Sequence, residues 1–311
     1  MDRPQNKKVF MLIDGSAILH RAFHSMPAGF SSSNGTPTGG LYGFSSMLLK
    51  LIQNVRPDYI AVAFDRSAPT FRQQMYVDYH ANRPKAPDDL REQFTTVREL
   101  LAEIGIPVYE VDGFEGDDVI GTINRKINTD FQDIVVYIVT GDRDMLQLVD
   151  TDTHVIMPVK GISEVKLFDS ARVLEKFGVR PDQIVDLKAF MGDASDNYPG
   201  VPGVGPKTAM TLLQKYEHFE TVFEKISEIE KDNPKLAVKL ASGSDQAFMA
   251  KKLATIECEV PFVFSMEDCK IENFTAKNFE KSFTRFEFNS LIKRLDEVFG
   301  ENPIKNQMKL I

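Results

Sequence analysis

The stretch Gly113-Phe-Glu-Gly-Asp-Asp118 places Glu115, Asp117 and Asp118 within four residues, directly behind the apolar run Ile106-Pro-Val-Tyr-Glu-Val111. A short apolar run followed by acids reads as an interior strand feeding a helix. Negative side chains favour a helix N-terminus, but three of them exceed what capping needs, so a cation is expected among them. The arrangement recurs along the chain. Val9-Phe-Met-Leu-Ile-Asp14 and Tyr59-Ile-Ala-Val-Ala-Phe-Asp65 are apolar runs ending in Asp, and Ile134-Val-Val-Tyr-Ile-Val-Thr-Gly-Asp142 repeats the pattern with Asp144 two residues on. Such runs, each followed by helical patterns, predict buried parallel strands. In an open α/β sheet the ligand crevice lies beyond the carboxyl ends of the strands, so these acids are expected to converge there. A single Asp after a strand is an ordinary helix cap; the whole set is not explained that way.

The rest of the chain divides by composition. Residues 29–40 read as a loop and a helix is expected over about 41–54. The segment from Ala68 is polar and aromatic, interrupted by Pro84 and Pro87, with little core of its own, and predicts a mobile lid or arch at about 69–95 over the strand ends. A helix is expected over 90–103 and a hairpin about Lys160-Gly161; from Ala171 the pattern is helical. The expected organisation is an α/β core over 1–180, a helical lobe over 181–300 and a tail over 301–311.

A second acidic pair, Asp193 and Asp196, stands at the end of a helix in Leu187-Lys-Ala-Phe-Met-Gly-Asp-Ala-Ser-Asp-Asn197. On a continuing turn the two carboxylates share a face and suit one ion; an Asx turn with Asn197 is the plainer reading. Acids at a helix C-terminus oppose its dipole unless a cation offsets them. Directly behind lies Pro199-Gly-Val-Pro-Gly-Val-Gly-Pro-Lys-Thr-Ala209. Gly200, Gly203 and Gly205 permit tight turning, and Pro206 suits the first position of the next helix. Lys207 and Thr208 then stand at a helix start fitted to a phosphate. The pattern, at about 197–215, resembles a helix-hairpin-helix that grips a nucleic-acid backbone.

The 311 residues allow one large domain or two smaller ones. Hydrophobic content of 42% and charged content of 26% are those of a soluble globular protein. Cys258 and Cys269 show neither metal-ligand spacing nor a disulfide pattern, which fits a reducing compartment. The run Val9 to Ile13 is too short for a signal peptide or membrane span, so a cytoplasmic protein is expected. A net charge of −8 argues globally against nucleic acid, but nine of the 45 acids belong to the strand-end and helix-end sets, where bound cations would offset them locally.

These motifs, with Ile13-Asp-Gly-Ser, Arg21-Ala-Phe-His24, Pro37-Thr-Gly-Gly-Leu-Tyr-Gly-Phe44, Thr70-Phe-Arg72 and Thr140-Gly-Asp-Arg-Asp-Met-Leu-Gln-Leu148, resemble the 5′ nuclease family of flap endonucleases and 5′-to-3′ exonucleases, most closely the nuclease domain at the N-terminus of bacterial DNA polymerase I. The resemblance runs from Val9 to Leu295. It implies a PIN-like (resolvase-like) mostly parallel sheet with a helical arch and a helical lobe. By position it implies a first metal site built by Asp14, Asp65, Glu115, Asp117, Asp142 and Asp144. A second would be held by Asp193 and Asp196 with Asp118, Asp144 or nearby acids. The all-oxygen donor set indicates Mg²⁺ or Mn²⁺ rather than zinc; two ions about 4 Å apart would serve phosphodiester hydrolysis, with K⁺ at the helix-hairpin-helix. Arg21 looks like a phosphate-steering residue, and Arg72 and Arg83 lie in the arch. Lys188 is placed to hold the scissile strand, and Phe71, Tyr76 and Tyr79 offer stacking faces for unpaired bases. The arch carries His80 where related nucleases often have Lys, which puts its phosphate contact on Arg83 or Lys85 or makes it pH dependent.

The expected activity is metal-dependent, structure-selective cleavage of DNA at 5′ flaps or 5′ ends, RNA primer-DNA hybrids included, by a monomer that partners a DNA polymerase or a sliding clamp through its tail. A junction-binding protein without turnover and a PIN-class RNA nuclease are the alternatives. With its end at Ile311 the chain reads as a stand-alone nuclease or a piece of a larger polymerase.

Overall fold

The structure, a computed structural model, describes residues 7–27, 29–160 and 164–300. Its first half is β1 (Lys8–Asp14), α1 (Gly15–Ser25), α2 (Gly39–Val55), β2 (Tyr59–Ala63), α3 (Phe71–Met75), α4 (Asp88–Ile104), β3 (Val108–Tyr109), α5 (Gly116–Asp130), β4 (Ile134–Val139), β5 (Thr153–Lys160) and β6 (Glu164–Phe168). There follow α6 (Ser170–Phe177), α7 (Ile184–Met191), the two-residue strands β7 (Gly192–Asp193) and β8 (Tyr198–Pro199), α8 (Pro206–Tyr216), α9 (Phe219–Glu224), α10 (Ile226–Asp232), α11 (Pro234–Ser242) and α12 (Ser244–Ala254). The last helices are α13 (Ala276–Arg285), α14 (Asn289–Ile292) and α15 (Leu295–Phe299).

The main sheet runs β3-β2-β1-β4-β5-β6. All neighbours are parallel except the β5–β6 hairpin, whose expected turn at Gly161 lies outside the described residues. Period-two alternation explains why β2, β4 and the interior of β1 are apolar on both faces. Phe10 and Leu12 of β1, with Val136 and Ile138 of β4, enter the core beneath α5. Val9, Met11 and Ile13, with Val135, Tyr137 and Val139, enter the core beneath α1, α2 and α4. Ile13 is paired with Val62 and Val139, and Asp14 with Ala63, so the acids that follow β1, β2 and β4 leave the sheet at one level.

The stretch expected as one helical lobe divides. Residues of α7, α8, α9 and α11 continue the core on the α5 side of the sheet, whereas Phe279, Phe283, Phe288, Leu291 and Leu295 pack into the core on the opposite face, with α2 and α4. Phe279 and Phe283 stand one helical turn apart and form an apolar stripe that only a second apolar surface can cover. Among the described residues no helix is long and apolar enough to cross a membrane.

The expected arch is also more anchored than its composition suggested. Leu90, Val97, Leu100, Leu101 and Ile104 of α4 are fully buried, and Thr70 closes a capping box with Gln73 at the start of α3. Behind α7 the chain turns at Gly192, with φ 74° and ψ −179°, a conformation that only glycine adopts readily. A Cβ on Gly200 would stand 2.3 Å from the Gly192 nitrogen and 2.4 Å from the Phe190 carbonyl. Backbone cannot yield as a side chain can, so Gly200→Ala is expected to destabilise the protein by about 2–3 kcal/mol. A urea midpoint equal to that of the wild type would show that the ribbon relaxes freely.

Candidate metal centre

At the strand ends Asp14, Asp65 and Asp142 are each fixed by a hydrogen bond from a backbone N–H. Asp14 closes β1 and caps α1, accepting the Ala17 N–H at 2.8 Å, and its second oxygen accepts the Thr140 hydroxyl at 2.6 Å. Asp65 accepts the Gly116 N–H at 2.7 Å, which ties the end of β2 to the start of α5. Asp142 accepts the Asp144 N–H at 2.8 Å, while its own N–H donates to the Thr140 oxygen at 2.9 Å. Glu115 is the N-cap of α5, with Asp117 and Asp118 in its first turn.

Seven of the nine expected acids, Asp14, Asp65, Glu115, Asp117, Asp142, Asp144 and Asp196, line a single cavity of about 630 Å³ beyond the carboxyl ends of the strands. Asp193 joins through Asp144 and Asp196: one oxygen of each of the three lies within 4.8 Å of the others. Asp193 and Asp196 are not on a continuing helical turn. Helix α7 stops at Met191, and the pair sits on the β7–β8 ribbon, where Asp193 accepts the Ser195 N–H at 2.7 Å. A turn closed by Asp193 on Ser195, rather than the expected one with Asn197, therefore coexists with the shared site. Lys188, expected to face the scissile strand, instead places its ammonium between Asp144 and Asp193.

Asp118 departs from the expected ligand set. It is fully buried, and both its oxygens are engaged, by Arg72 at 2.7 Å each and by the backbone N–H groups of Glu115 and Glu257 at 3.0 and 2.9 Å. Arg72 likewise departs from its place as an arch arginine facing DNA. It is 2% exposed, reaches Glu115 at 3.1 Å, and donates to the carbonyls of Leu253 and Thr255. Its fork matches a carboxylate in two bonds, so it forms a buried pair instead of facing the DNA.

The stacking faces are also occupied. Phe71 lies 5.8 Å from Phe114, with the Arg72 guanidinium 4.5 Å from its ring centre. Tyr79 is buried between His80 at 3.9 Å and Tyr198 at 6.4 Å, and its hydroxyl donates to Glu115 at 3.2 Å. Tyr76 packs half-buried against the same cluster. His80 has φ 60°, a region in which histidine is enriched; its Nε2–H donates to Asp196 at 3.2 Å, and Arg83 reaches the same oxygen at 2.7 Å. Arg21 lines an adjoining cavity of about 540 Å³ with Asp142 and His24. In the hairpin, Gly200 is buried and Gly203 has φ 76°. Gly205 caps α8, whose first turn carries exposed Lys207 and half-buried Thr208.

Two positioning residues stand outside the expected site residues. Thr140 joins Asp14 to Asp142, and a hydroxyl between a strand end and Gly-Asp is the only available sign. Arg98, twelve residues before its partner Glu110, lies over the Phe64 ring at 4.6 Å and donates to the Asp65 carbonyl at 3.0 Å.

The electrostatics follow from crowding. Burial, then the neighbouring Asp65 and Asp142, pushes the Asp14 carboxyl up to about 7. Burial and Asp142 do the same to Asp144, up to about 7, against the opposing pull of Lys188. Asp117 is raised by burial and by Asp142, Asp14, Asp65 and Glu115. Asp196 moves the other way, to about 2: the effect of burial is outweighed by the His80 hydrogen bond and by the charges of Arg83 and Lys188. A carboxyl raised on folding contributes stability that is fully present below its unfolded value near 4 and is lost as pH rises through about 7. Metal-free protein is therefore expected to lose melting temperature between pH 5 and 8, and saturating Mg²⁺ to reverse the trend because protons compete for its ligands. A flat profile in EDTA would contradict the crowding. An all-carboxylate donor set without histidine or cysteine fits a hard divalent cation.

Comparison with known proteins agrees with this geometry. Residues 9–178 match the family model of the 5′-3′ exonuclease N-terminal resolvase-like domain, and residues 179–277 that of the 5′-3′ exonuclease C-terminal SAM fold. The chain is 40% identical over 287 residues to DNA polymerase I of Caldicellulosiruptor bescii, a match covering 92% of this chain and 33% of that protein, so it spans about a third of such relatives. It is 36% identical over 294 residues to a 5′-3′ exonuclease of Aquifex aeolicus, covering 94% of this chain and 97% of the other. The fold superposes on the bacteriophage T5 D15 flap endonuclease, solved with DNA and metal ions, with a TM-score of 0.65 at 17% identity over 94% of this chain and 99% of that one. With two family models matched in order and one relative matched nearly end to end, the chain belongs to the 5′-3′ exonuclease family.

Proposed function

We propose that this chain hydrolyses DNA phosphodiester bonds near a free 5′ end or at a 5′ flap, with Mg²⁺ or Mn²⁺ held by its acid cluster. The observation that carries the reading is the convergence of seven acids in one strand-end cavity that also admits Arg72, His80 and Arg83. Asp14, Asp65, Glu115, Asp117 and Asp142 would hold one ion, and Asp144, Asp193 and Asp196 a second. Bound there, two such ions supply an activated water and charge stabilisation for the leaving 3′-oxygen. The chain's own groups do the rest: Arg21, beside Asp142, draws a phosphate to the acids; Arg72 holds Glu115 in place; Thr140 sets the spacing of Asp14 and Asp142. The glycine hairpin, with Lys207 and Thr208, would grip the duplex backbone without reading sequence, with K⁺ at its turn.

In this reading the unit acts as a monomer in the cytoplasm on flaps, 5′ ends and RNA primer-DNA hybrids, alongside a DNA polymerase, with a nuclease core over 1–180 and helices over 181–300. Contact with a sliding clamp through residues 301–311 lies outside the described residues. The test is cleavage of a labelled 5′-flap duplex, beside blunt duplex, single strand and RNA, with Mg²⁺ and with EDTA. A Mg²⁺-dependent product at the flap junction is expected. Tight junction binding without any product would leave a binding module, and preference for RNA would point to a PIN-class RNA nuclease.

A further inference from the structure

Segment 76–84 and the turn 193–197 are remote in sequence but are joined by contacts that metal binding does not require. The His80 backbone N–H donates to the Asp196 carbonyl at 2.9 Å. The Asn82 side-chain amide donates to Asn197 Oδ1 at 2.6 Å, and Asn197 Nδ2 donates to the Asp78 carbonyl at 2.7 Å. Asn197 and His80 both have positive φ, 61° and 60°, a region in which Asn and His are enriched, and this turns the two loops toward each other. Charge completes the seat, since Arg83 and His80 both reach one carboxylate oxygen of Asp196. That carboxylate is also one of the three that gather an oxygen within 4.8 Å.

We propose that residues 78–83 form a clasp seated on the Asp196–Asn197 turn, and that seating the clasp and loading a divalent ion at Asp144, Asp193 and Asp196 oppose each other. The inference rests on the metal reading above. A guanidinium and a divalent ion drawn to the same carboxylate repel each other at short range, and linkage makes the opposition reciprocal: whatever loading does to seating, seating does to loading. Unloaded, the clasp lies closed across the acids with Arg83 spent on Asp196. Loaded, it lifts, and Arg83 and His80 become available to a phosphate. Asn82 and Asn197 are positioning residues in this scheme: neither lines the acid cavity, and both act by holding the clasp down.

Exchange of the His80 backbone amide reads seating directly, and calorimetric titration with Mg²⁺ in the absence of DNA reads loading. In the wild type, protection of that amide is expected to fall at least about fivefold on saturation with Mg²⁺. Asn82→Ala, and Asn197→Gly, which keeps the positive φ, are expected to lose this protection in EDTA and to bind Mg²⁺ at least about fivefold more tightly, with amides of β1 and β4 as protected as before. Protection of His80 that stays constant or grows on loading overturns the proposal, as does wild-type Mg²⁺ affinity in both variants. Failure of the wild type to bind Mg²⁺ overturns the metal reading together with the clasp; binding with unchanged protection removes the clasp alone.

Discussion

Asp117→Asn is expected to slow flap cleavage at least about a thousandfold in saturating Mg²⁺, a barrier higher by about 4 kcal/mol, while duplex affinity stays within about threefold. The same change is expected to raise the melting temperature in EDTA at pH 8. Both effects come from one crowded carboxylate. Asp117 lies in the first turn of α5, half-buried, with Asp142, Asp14, Asp65 and Glu115 as its neighbours. Burial and that company raise its pKa, so at pH 8 folding works against the ionised form. The neutral amide has nearly the same shape and removes the repulsion, but it also withdraws a negative ligand from the ion. Loss of rate with a gain in metal-free stability is a combination that a merely misfolded variant would not give. Initial rates and thermal melts on one preparation decide it, and cleavage at the wild-type rate would end the assignment of Asp117 to the metal centre.

Arg72→Ala is expected to cost about 3–5 kcal/mol of stability, the largest loss foreseen for any single side chain here. Its guanidinium is buried against Asp118, which is itself fully buried. Truncation leaves a carboxylate that keeps two backbone donors but loses its counter-charge, and it also frees the Leu253 and Thr255 carbonyls. Arg72→Lys keeps a charge but cannot form the two-pronged bond, so an intermediate loss is expected. An arginine that served the DNA from an exposed arch would behave otherwise, with stability unchanged within about 0.5 kcal/mol and affinity for DNA reduced. The urea midpoint, with the slope checked for two-state behaviour, separates the two roles.

These two residues also mark how far the sequence could be read. Asp117 was legible because strand periodicity and strand-end geometry are local rules: an apolar run ending in acids has only one place to put them. The convergence of Asp14, Asp65, Glu115, Asp117 and Asp142 followed from strand-end topology. Arg72 was not legible, because its partners Asp118, Leu253 and Thr255 lie 46 to 183 residues away, and nothing in Thr-Phe-Arg says which way the guanidinium turns. Tyr79 failed for the same reason. An aromatic residue in a polar segment resembles a stacking platform until Tyr198, from the β7–β8 ribbon, is seen against it. The divided helical half was hidden by kind rather than distance, since the stripe of Phe279 and Phe283 announces an apolar partner without naming it.

The position of β1 at the centre of the sheet bears on how the chain is made. Its two neighbours arrive at very different times: Phe10 pairs with Tyr59, but Lys8 must wait for Ile134. During synthesis one edge of β1 stays open until β4 has left the ribosome, and the face shared with α2 and α4 waits longer still for α13 to α15. Sheets closed by such remote pairings fold slowly, and an uncovered apolar edge is the natural site for one nascent chain to join another. The alternation that makes Val9 to Ile13 a good centre for the finished molecule therefore makes it the segment most in need of shelter before β4 arrives.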